Sequence, residues 1–285
     1  MASMRDIKRR RASVESTSQI TKAMKLVSTV KLQRAKQKAE QAKPYFNHMY
    51  DVMTSILSST HNIQDPYIVG NPSKKKALIL ITSNRGLAGG YNNNIVKEVR
   101  ATLNSEDIVA YTIGKKGKDA LTRYGIEIAA DYSDVINEPM YRDAMDIGKV
   151  VLDAYVAGEV GEIYIAYTNF KNTVSHIPTV MKVLPLDSEE KSESEDSKDE
   201  YIMNFEPGED EAFPIIIPKY VNSIIYGALI EAVASENGAR MQAMDNATNN
   251  AEEMIEDLAL KYNRARQGAI TQELTEIIAG ASAIS

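Results

Sequence analysis

The sequence predicts an α/β fold in which a small, mainly parallel α/β domain is combined with a long antiparallel coiled coil of the N- and C-terminal helices. Three observations predict it: a long stretch at each chain end with apolar residues every three or four positions, and a middle stretch where short apolar runs alternate with helical segments. The predicted segments are an N-terminal coiled-coil helix at 1–60, an α/β domain at 74–186, an acidic loop at 187–212 and a C-terminal coiled-coil helix at 213–285.

The N-terminal stretch has the pattern of a helix that packs along another helix. From residue 35 the apolar positions step alternately by four and three, at Ala35, Ala39, Ala42, Phe46, Met49, Met53 and Ile56. Upstream the same steps occur in another phase, at Ile20, Ala23, Val27 and Val30, which predicts a shift of the contact seam near 30–35. We expect Pro44 to kink this helix without ending it, because the pattern continues on both sides.

The C-terminal stretch repeats this pattern more strongly, and no proline follows Pro218. Its seam residues step by three and four, at Met241, Met244, Thr248, Ala251, Ile255, Leu258, Tyr262, Ala265 and Ala269. Two such helices can bury their seams on each other as an antiparallel coiled coil. Because many seam positions are Ala or Thr, the helices can approach closely but bury little apolar area.

The middle stretch reads as a small Rossmann-like domain. Apolar runs predict strands at 77–81, 108–113, 126–129 and 163–167, and an antiparallel edge strand at 179–184. Helices are predicted between them, at 93–103, 115–124 and 140–157. Alternation at this spacing implies right-handed crossovers and a mainly parallel sheet.

A glycine-rich segment, TSNRGLAGGYN at 82–92, follows the first predicted strand. Strand-to-helix turns of this kind bind phosphate in many α/β folds. The segment matches neither the dinucleotide pattern G-x-G-x-x-G nor the P-loop. We therefore favour a tight turn that needs glycine for positive φ over a phosphate site.

Charge is distributed unevenly along the 285 residues, although the net charge is only -6. Residues 1–43 carry 12 Lys/Arg against 3 Asp/Glu, whereas residues 187–211 carry 12 Asp/Glu against 2 Lys. A basic arm can bind nucleic acid or an anionic membrane, or it can be a helix that enters an acidic protein cavity. The acidic segment is expected to be a solvated loop.

The sequence lacks the residues of a catalytic or metal site. Zero Cys excludes disulfides, thiolate metal sites and a cysteine nucleophile, and His48, His61 and His176 lack metal-ligand spacing. No apolar run has the length of a membrane-spanning helix, and the N-terminus lacks the pattern of a secretory signal. These patterns predict a protein with no catalytic site, no metal and no cofactor of its own.

Several stretches together resemble the gamma subunit of the bacterial F-type ATP synthase. They are QITKAM at 19–24, RMQAMDNAT at 240–248, YNRARQ at 262–267 and ITQELTEI at 270–277, and the resemblance covers nearly the whole chain. The turn SNRGLAGG at 83–90 differs from the S-D-R-G-L-C-G-G pattern of that family at Asn84 and Ala88. These two differences weaken any expectation of chemistry at the turn.

The resemblance implies a central-stalk rotor that transmits torque between a membrane c-ring and a catalytic ring of three alpha and three beta subunits. The coil tip would enter an apolar sleeve, and the α/β domain would bear on the c-ring with the epsilon subunit, at the cytoplasmic face of the bacterial plasma membrane. Partner contacts to the beta subunits would come from Met24, Lys25, Arg240, Arg266, Gln267, Thr271 and Glu273. Of these, Met24 would lie near Arg240 and Gln267, where the shaft meets a beta lever.

Three other functions remain open at this point. The chain could be a small α/β nucleotide-binding protein with helical arms, a nucleic-acid-binding protein that uses the basic arm, or a coiled-coil scaffold. The absence of aromatic platforms and the acidic remainder of the chain disfavour nucleic acid.

Overall fold

Two long helices open and close the part of the chain that the computed structural model describes, which is residues 4–59, 66–186 and 209–282. The elements are α1 Met4–Ser59, α2 Pro66–Val69, β1 Lys76–Ile81, α3 Tyr91–Thr102, β2 Ile108–Ile113, α4 Lys115–Arg123, β3 Glu127–Asp131, α5 Tyr141–Val156, β4 Glu162–Phe170, β5 His176–Leu184 and α6 Glu209–Ser282. The chain divides into two units. Residues Met1–Ser28 with Arg240–Ser285 form the coil unit, and Thr29–Ala239 forms the core unit.

The core unit contains a five-stranded sheet in the order β3-β2-β1-β4-β5. Strand β1 pairs in parallel with β2 and β4, β2 pairs in parallel with β3, and β5 pairs antiparallel with β4. Residues 77–81 of β1 are 0% exposed, because helices cover both faces of the sheet. The predicted mainly parallel sheet with an antiparallel edge strand is confirmed.

Two apolar layers enclose this sheet. On one face Ile79 and Ile81 lie in one core cluster with residues of α5 and α6, among them Ile147 and Ile225. On the other face Leu78 and Leu80 lie in a cluster with residues of α3 and α4, namely Ile95, Val96, Val99 and Leu121. The alternation of strands and helices along the chain therefore gives a sheet with helices on both faces.

The predicted phase shift of the α1 seam near 30–35 is wrong. The buried positions Ile7, Ser18, Thr21, Ser28, Leu32, Ala35 and Met53 fit one repeat of three and four residues without a change of phase. Ile20, Val27 and Val30, which were predicted for the seam, are 58%, 56% and 49% exposed. The seam of the coil unit uses hydroxyl-bearing side chains instead, since these allow close approach and can bond across the two helices.

Helix α6 follows the predicted seam more closely. Met244, Thr248, Ala251 and Leu258 are buried, whereas Ala269 is exposed. The helix begins at Glu209 and contains Pro214 and Pro218. Residues 209–212, which were predicted to belong to the acidic loop, are therefore helical. The rest of that predicted loop, 187–208, lies outside the described residues. Helix α1 likewise continues through Pro44, as expected. The four predicted segments remain predictions, since the two units divide both long helices.

One described helix, α6, is long and apolar enough to cross a membrane by length and composition alone. That test also accepts the core helix of a soluble protein. In α6 the apolar residues Ile217, Val221, Ile225 and Leu229 are 0% exposed inside the core unit. These side chains therefore pack in the apolar core of the core unit.

Candidate partner-binding surface

The two helices of the coil unit run antiparallel, and side-chain contacts between described residues join them, among them the following three. The Oγ1 atoms of Thr21 and Thr248 are 2.7 Å apart and hydrogen-bonded. Lys25 Nζ lies 2.6 Å from Asp245 Oδ1, and Lys22 Nζ lies 2.6 Å from Glu252 Oε1. The α6 residue number falls as the α1 number rises from Thr21 to Lys25, which confirms the predicted antiparallel coil.

Three of the predicted site residues lie at or beside this seam. Met24 and Lys25 are half-buried on α1, and Arg240 is half-buried on α6. Lys25 already bonds Asp245, with side chains that are 40% and 44% exposed, so the ion pair is accessible from solvent. An exposed pair of this kind contributes little stability by itself, about 0.2 to 1 kcal/mol.

The other four predicted residues lie on an exposed part of α6. Arg266, Gln267, Thr271 and Glu273 are all exposed. Thr271 Oγ1 donates to the Gln267 carbonyl oxygen at 2.9 Å, which is a hydrogen bond within the helix. Among the hydrogen bonds and ion pairs between described residues, we find none that uses the side chain of Arg266, Gln267 or Glu273. These groups are therefore presented outward.

The predicted proximity of Met24 to Gln267 is wrong. The Thr21–Thr248 and Lys25–Asp245 contacts place Met24 beside 245–248 of α6, within two turns of Arg240. Gln267 follows Thr248 by 19 residues in the same helix. At 1.5 Å per residue this separates Gln267 from Met24 by about 30 Å. The site residues therefore form two surfaces, one at the seam and one toward the end of α6.

An apolar stripe that sequence reasoning did not single out accompanies the second surface. Ile270, Leu274, Ile277 and Ile278 are between 50% and 66% exposed. Their spacing of four, three and one places them on one side of the helix. The sequence does contain a signal for this stripe, because Ile270, Leu274 and Ile277 are spaced by four and three. The predicted seam, which includes Ala269, lies on the neighbouring face of the helix.

The glycine-rich turn after β1 is hydrogen-bonded to the N-terminus of α4. Lys115 N donates to Asn84 Oδ1 at 3.0 Å, Lys116 N to the Ser83 carbonyl at 3.1 Å, and Gly117 N to Thr82 Oγ1 at 2.8 Å. The helix that follows the turn in sequence is α3, and the amide of its first residue, Tyr91, donates to the Ala88 carbonyl at 3.2 Å. The tight-turn interpretation therefore stays a prediction.

Glycine is favoured at one position and required at another around this turn. Gly89 has φ 57, which favours glycine, although Leu87 has φ 64 without being glycine. Gly114, at the start of α4, has φ 110, and a Cβ there would overlap the Thr82 carbonyl oxygen. Gly114 therefore lets α4 approach the end of β1 closely.

Helix α6 covers the carboxyl end of the sheet, where folds of this type bind ligands. The strand order changes direction between β1 and β4, and such a point usually opens a crevice. Here Tyr91 Oη, at the start of α3, donates to the Ala232 carbonyl of α6 at 3.1 Å. His176, which pairs with Phe170 at the end of β4, lies so close to Gly238 that an added Cβ would sit 2.5 Å from its Nε2. The backbone of α6 therefore passes beside Tyr91 and His176 at this end of the sheet.

The titratable groups in this region are shifted by burial and by local partners. Burial lowers the pKa of His176 below its usual value. Burial acts to raise the pKa of Asp131, but hydrogen bonds from Lys118 and Ser133 outweigh it and the net shift is downward. Among the described residues, no group of three or more His, Asp or Glu could hold a metal ion.

Comparisons with known proteins agree with the two-helix architecture. A family profile described as ATP synthase matches residues 3–284. The ATP synthase gamma chain of Lachnoclostridium phytofermentans is 66% identical over 100% of both chains, and that of Alkaliphilus metalliredigens is 43% identical over 99% of this chain and 98% of the relative.

A solved structure with much lower sequence identity has a similar fold. A chain from the Euglena gracilis mitochondrial ATP synthase, in a cryo-EM structure of OSCP/F1/c-ring, superposes with a TM-score of 0.70 at 20% identity. The alignment covers 98% of this chain and 94% of that one. From the full-length profile and the 66% identity, the chain belongs to the gamma-subunit family of the bacterial F-type ATP synthase, the family of its central-stalk rotor.

Proposed function

We propose that this chain is the central-stalk rotor subunit of an ATP synthase. Its coil turns inside a ring of three alpha and three beta subunits, and its α/β domain bears on the epsilon subunit and the membrane c-ring. Rotation couples ion translocation to ATP synthesis or hydrolysis on the beta subunits. The observation that carries this proposal is the full-length similarity to gamma chains, at 66% identity over 100% of both chains.

The chain contributes no catalytic site to the complex. This part of the proposal is supported by α6, whose Ala232 carbonyl and Gly238 lie against Tyr91 and His176 near the carboxyl end of the sheet. Nucleotide is then bound by other subunits, and this chain changes their states mechanically.

The two exposed surfaces contact different parts of the catalytic ring. Near the seam, Met24, Lys25 and Arg240 meet a beta lever, where cations steer and align an acidic partner more than they add affinity. Toward the end of α6, Arg266, Gln267, Thr271 and Glu273 hydrogen-bond a beta-subunit loop. The stripe formed by Ile270, Leu274, Ile277 and Ile278 enters the apolar sleeve, since its side chains are exposed in the isolated chain.

The complex is associated with a membrane, as its family implies. This chain lies at the cytoplasmic face of the bacterial plasma membrane and is held there only through the complex. Support comes from Ile217, Val221, Ile225 and Leu229 of α6, which are buried in the core unit and so are not presented to lipid.

The C-terminal surface can be tested with the double variant Gln267→Ala, Thr271→Ala in the complete complex. We expect coupled ATP synthesis to fall by about tenfold, because two partner hydrogen bonds are lost at about 0.5 to 1.5 kcal/mol each. The melting temperature of the isolated chain should not change, since both side chains are exposed.

The matched control is Gln37→Ala, Thr102→Ala, which also removes two exposed side chains. Thr102 Oγ1 bonds the Glu98 carbonyl at 2.9 Å, just as Thr271 bonds that of Gln267. Equal synthesis by the two double variants would remove Gln267 and Thr271 from the partner surface. Substantial ATP hydrolysis by the purified chain alone would overturn the non-catalytic role.

A further inference from the structure

Helix α5 packs directly against α6 in the core unit. Ile147 and Val151 of α5 are 0% exposed and share one apolar cluster with Ile225 and Leu229 of α6. Gly148 lies so close to Asn222 that a Cβ there would overlap Oδ1. The two helices therefore approach each other along their lengths, and a force on α5 is transmitted to α6 over several turns.

The first residue of α5 also links α6 to α1. The ring of Tyr141 makes edge contacts with Tyr226 of α6 at 5.6 Å and with Tyr45 of α1 at 6.4 Å between ring centroids. Its hydroxyl faces the side chains of Tyr45 and of Ser223 of α6, which both influence its pKa. We call these four residues the tyrosine joint. Burial raises the pKa of the Tyr141 hydroxyl above its usual value.

The start of α5 is capped and its end contacts neighbouring residues. At its start, the Met140 amide donates to Asp143 Oδ2 at 2.8 Å within the first turn of the helix. At its end, Tyr155 stacks on Tyr67 with ring centroids 5.9 Å apart, and Asn71 Nδ2 donates to the Tyr155 carbonyl at 3.0 Å. A helix that is held at both ends and packed along its length can act as a strut between the sheet and the long helices.

Helix α6 is anchored in the core unit by a long apolar face. Between 217 and 232 it buries seven apolar side chains, namely Ile217, Val221, Ile225, Ala228, Leu229, Ile230 and Ala232. Leu32, Ala35 and Met53 of α1 are buried in the same unit. The tyrosine joint adds a direct contact between α1 and α5.

We propose that Tyr141 is a positioning residue for torque transmission: by tying α1 as well as α6 to α5, it makes both coil helices turn with the α/β domain. This inference rests on the rotor function proposed above. Without the joint, torque applied to the domain reaches α6 directly and α1 mainly through α6, so the domain yields under load. Hydrolysis by a complex that lacks the membrane sector places no load on this connection.

The test uses Tyr141→Phe and Tyr141→Ala in the complete ATP synthase, reconstituted into vesicles. Tyr141→Phe keeps both ring contacts and removes only the hydroxyl, so it should fold as the wild type does. We expect the rate of ATP synthesis to fall about twofold for Tyr141→Phe and about tenfold for Tyr141→Ala, as lost hydroxyl and ring contacts of ordinary strength imply. ATP hydrolysis by the alpha–beta–gamma subcomplex should stay unchanged.

The matched controls are Tyr124→Phe and Tyr124→Ala. Tyr124 is 49% exposed, and Arg100 Cζ lies 4.1 Å from the centroid of its ring. Tyr124→Ala therefore also removes a ring contact. Both control variants should match the wild type in synthesis and hydrolysis. A wild-type complex that synthesises no ATP would contradict the proposed rotor function. In a wild-type complex that synthesises ATP, the differences between the Tyr141 and Tyr124 variants test the tyrosine joint alone.

A direct measurement of rotor stiffness completes the test. Because the chain has no Cys, a single Lys97→Cys substitution on the exposed side of α3 gives one attachment point for a bead. With the catalytic ring immobilised, Tyr141→Ala should widen the angular fluctuations of the bead, and Tyr124→Ala should not. Parallel losses of synthesis and hydrolysis, or fluctuations unchanged in Tyr141→Ala, would overturn the proposal.

Discussion

The core unit and the coil unit use the same two helices in opposite ways. In the core unit α6 buries Ile217, Val221, Ile225 and Leu229 completely. In the coil unit its buried positions include Thr248 and Ala251, opposite a seam of α1 that contains Ser18 and Thr21. Since stability follows mainly the apolar area removed from water, the core unit supplies most of it. The coil unit depends on close approach and a few directional contacts.

The largest expected change in stability comes from a substitution in the core unit. Ile147→Ala should lower the free energy of unfolding by about 2 to 5 kcal/mol, because it leaves a cavity between α5 and α6. Val150→Ala, on the same helix at 43% exposure, is the control and should have little effect. Urea unfolding followed by circular dichroism measures both. Equal destabilisation by the two variants would show that α5 is not packed as described.

The polar seam of the coil unit is tested by Thr21→Val. The substitution should cost about 1 kcal/mol, because it removes a buried interhelical hydrogen bond. Thr21→Val with Thr248→Val should recover part of that cost, since both hydroxyls are then replaced by apolar groups. Hydrogen exchange of the α1 amides reports the local stability. The control is Thr17→Val, an exposed residue whose Oγ1 bonds the Ser13 carbonyl at 3.0 Å.

The ion pair at the edge of this seam should matter less. A double-mutant cycle with Lys25→Ala and Asp245→Ala should give a coupling energy of about 0.5 kcal/mol, because both side chains are partly exposed. The coupling should shrink as salt is added. A coupling energy several times larger, and unaffected by salt, would mean that the pair is shielded from solvent.

The smallest expected effect is a pH dependence in the core unit. Because burial lowers the pKa of His176, the unfolded chain takes up its proton first, at a pKa of about 6.5. Stability should therefore fall as pH drops from about 7 to about 5, and should not depend on this group at higher pH. His176→Leu should flatten the dependence of melting temperature on pH. His48→Leu, at an exposed position of α1, should follow the wild type.

Where burial follows apolar character, the sequence was a reliable guide. Residues 77–81 are apolar at every position and form a strand covered on both faces. The seam of α6 from Met244 to Leu258 was predicted because Ala, Leu and Met recur there at three and four. The third strand was predicted at 126–129 and lies at Glu127–Asp131, since its half-exposed residues give a weak pattern.

Where burial follows geometry instead, the same reasoning failed. In the coil unit α1 buries Ser18, Thr21 and Ser28 and exposes Ile20 and Val27, so hydrophobicity indicates the wrong face. The partner residues came from resemblance to a family, because exposed polar groups such as Gln267 leave no periodic pattern. The tyrosine joint could not be found from sequence, since Tyr45, Tyr141 and Tyr226 come together only in the folded chain.

The aliphatic side chains that α1 leaves in solvent bear on how the chain is produced. Ile20, Leu26, Val27 and Val30 lie within three turns of one helix, each about half exposed or more. Clustered exposed aliphatic groups promote aggregation when no partner covers them. We therefore expect a chain made in excess of its partners to be poorly soluble and short-lived. Balanced synthesis with the ring subunits would then be a requirement of this helix surface as well as of stoichiometry.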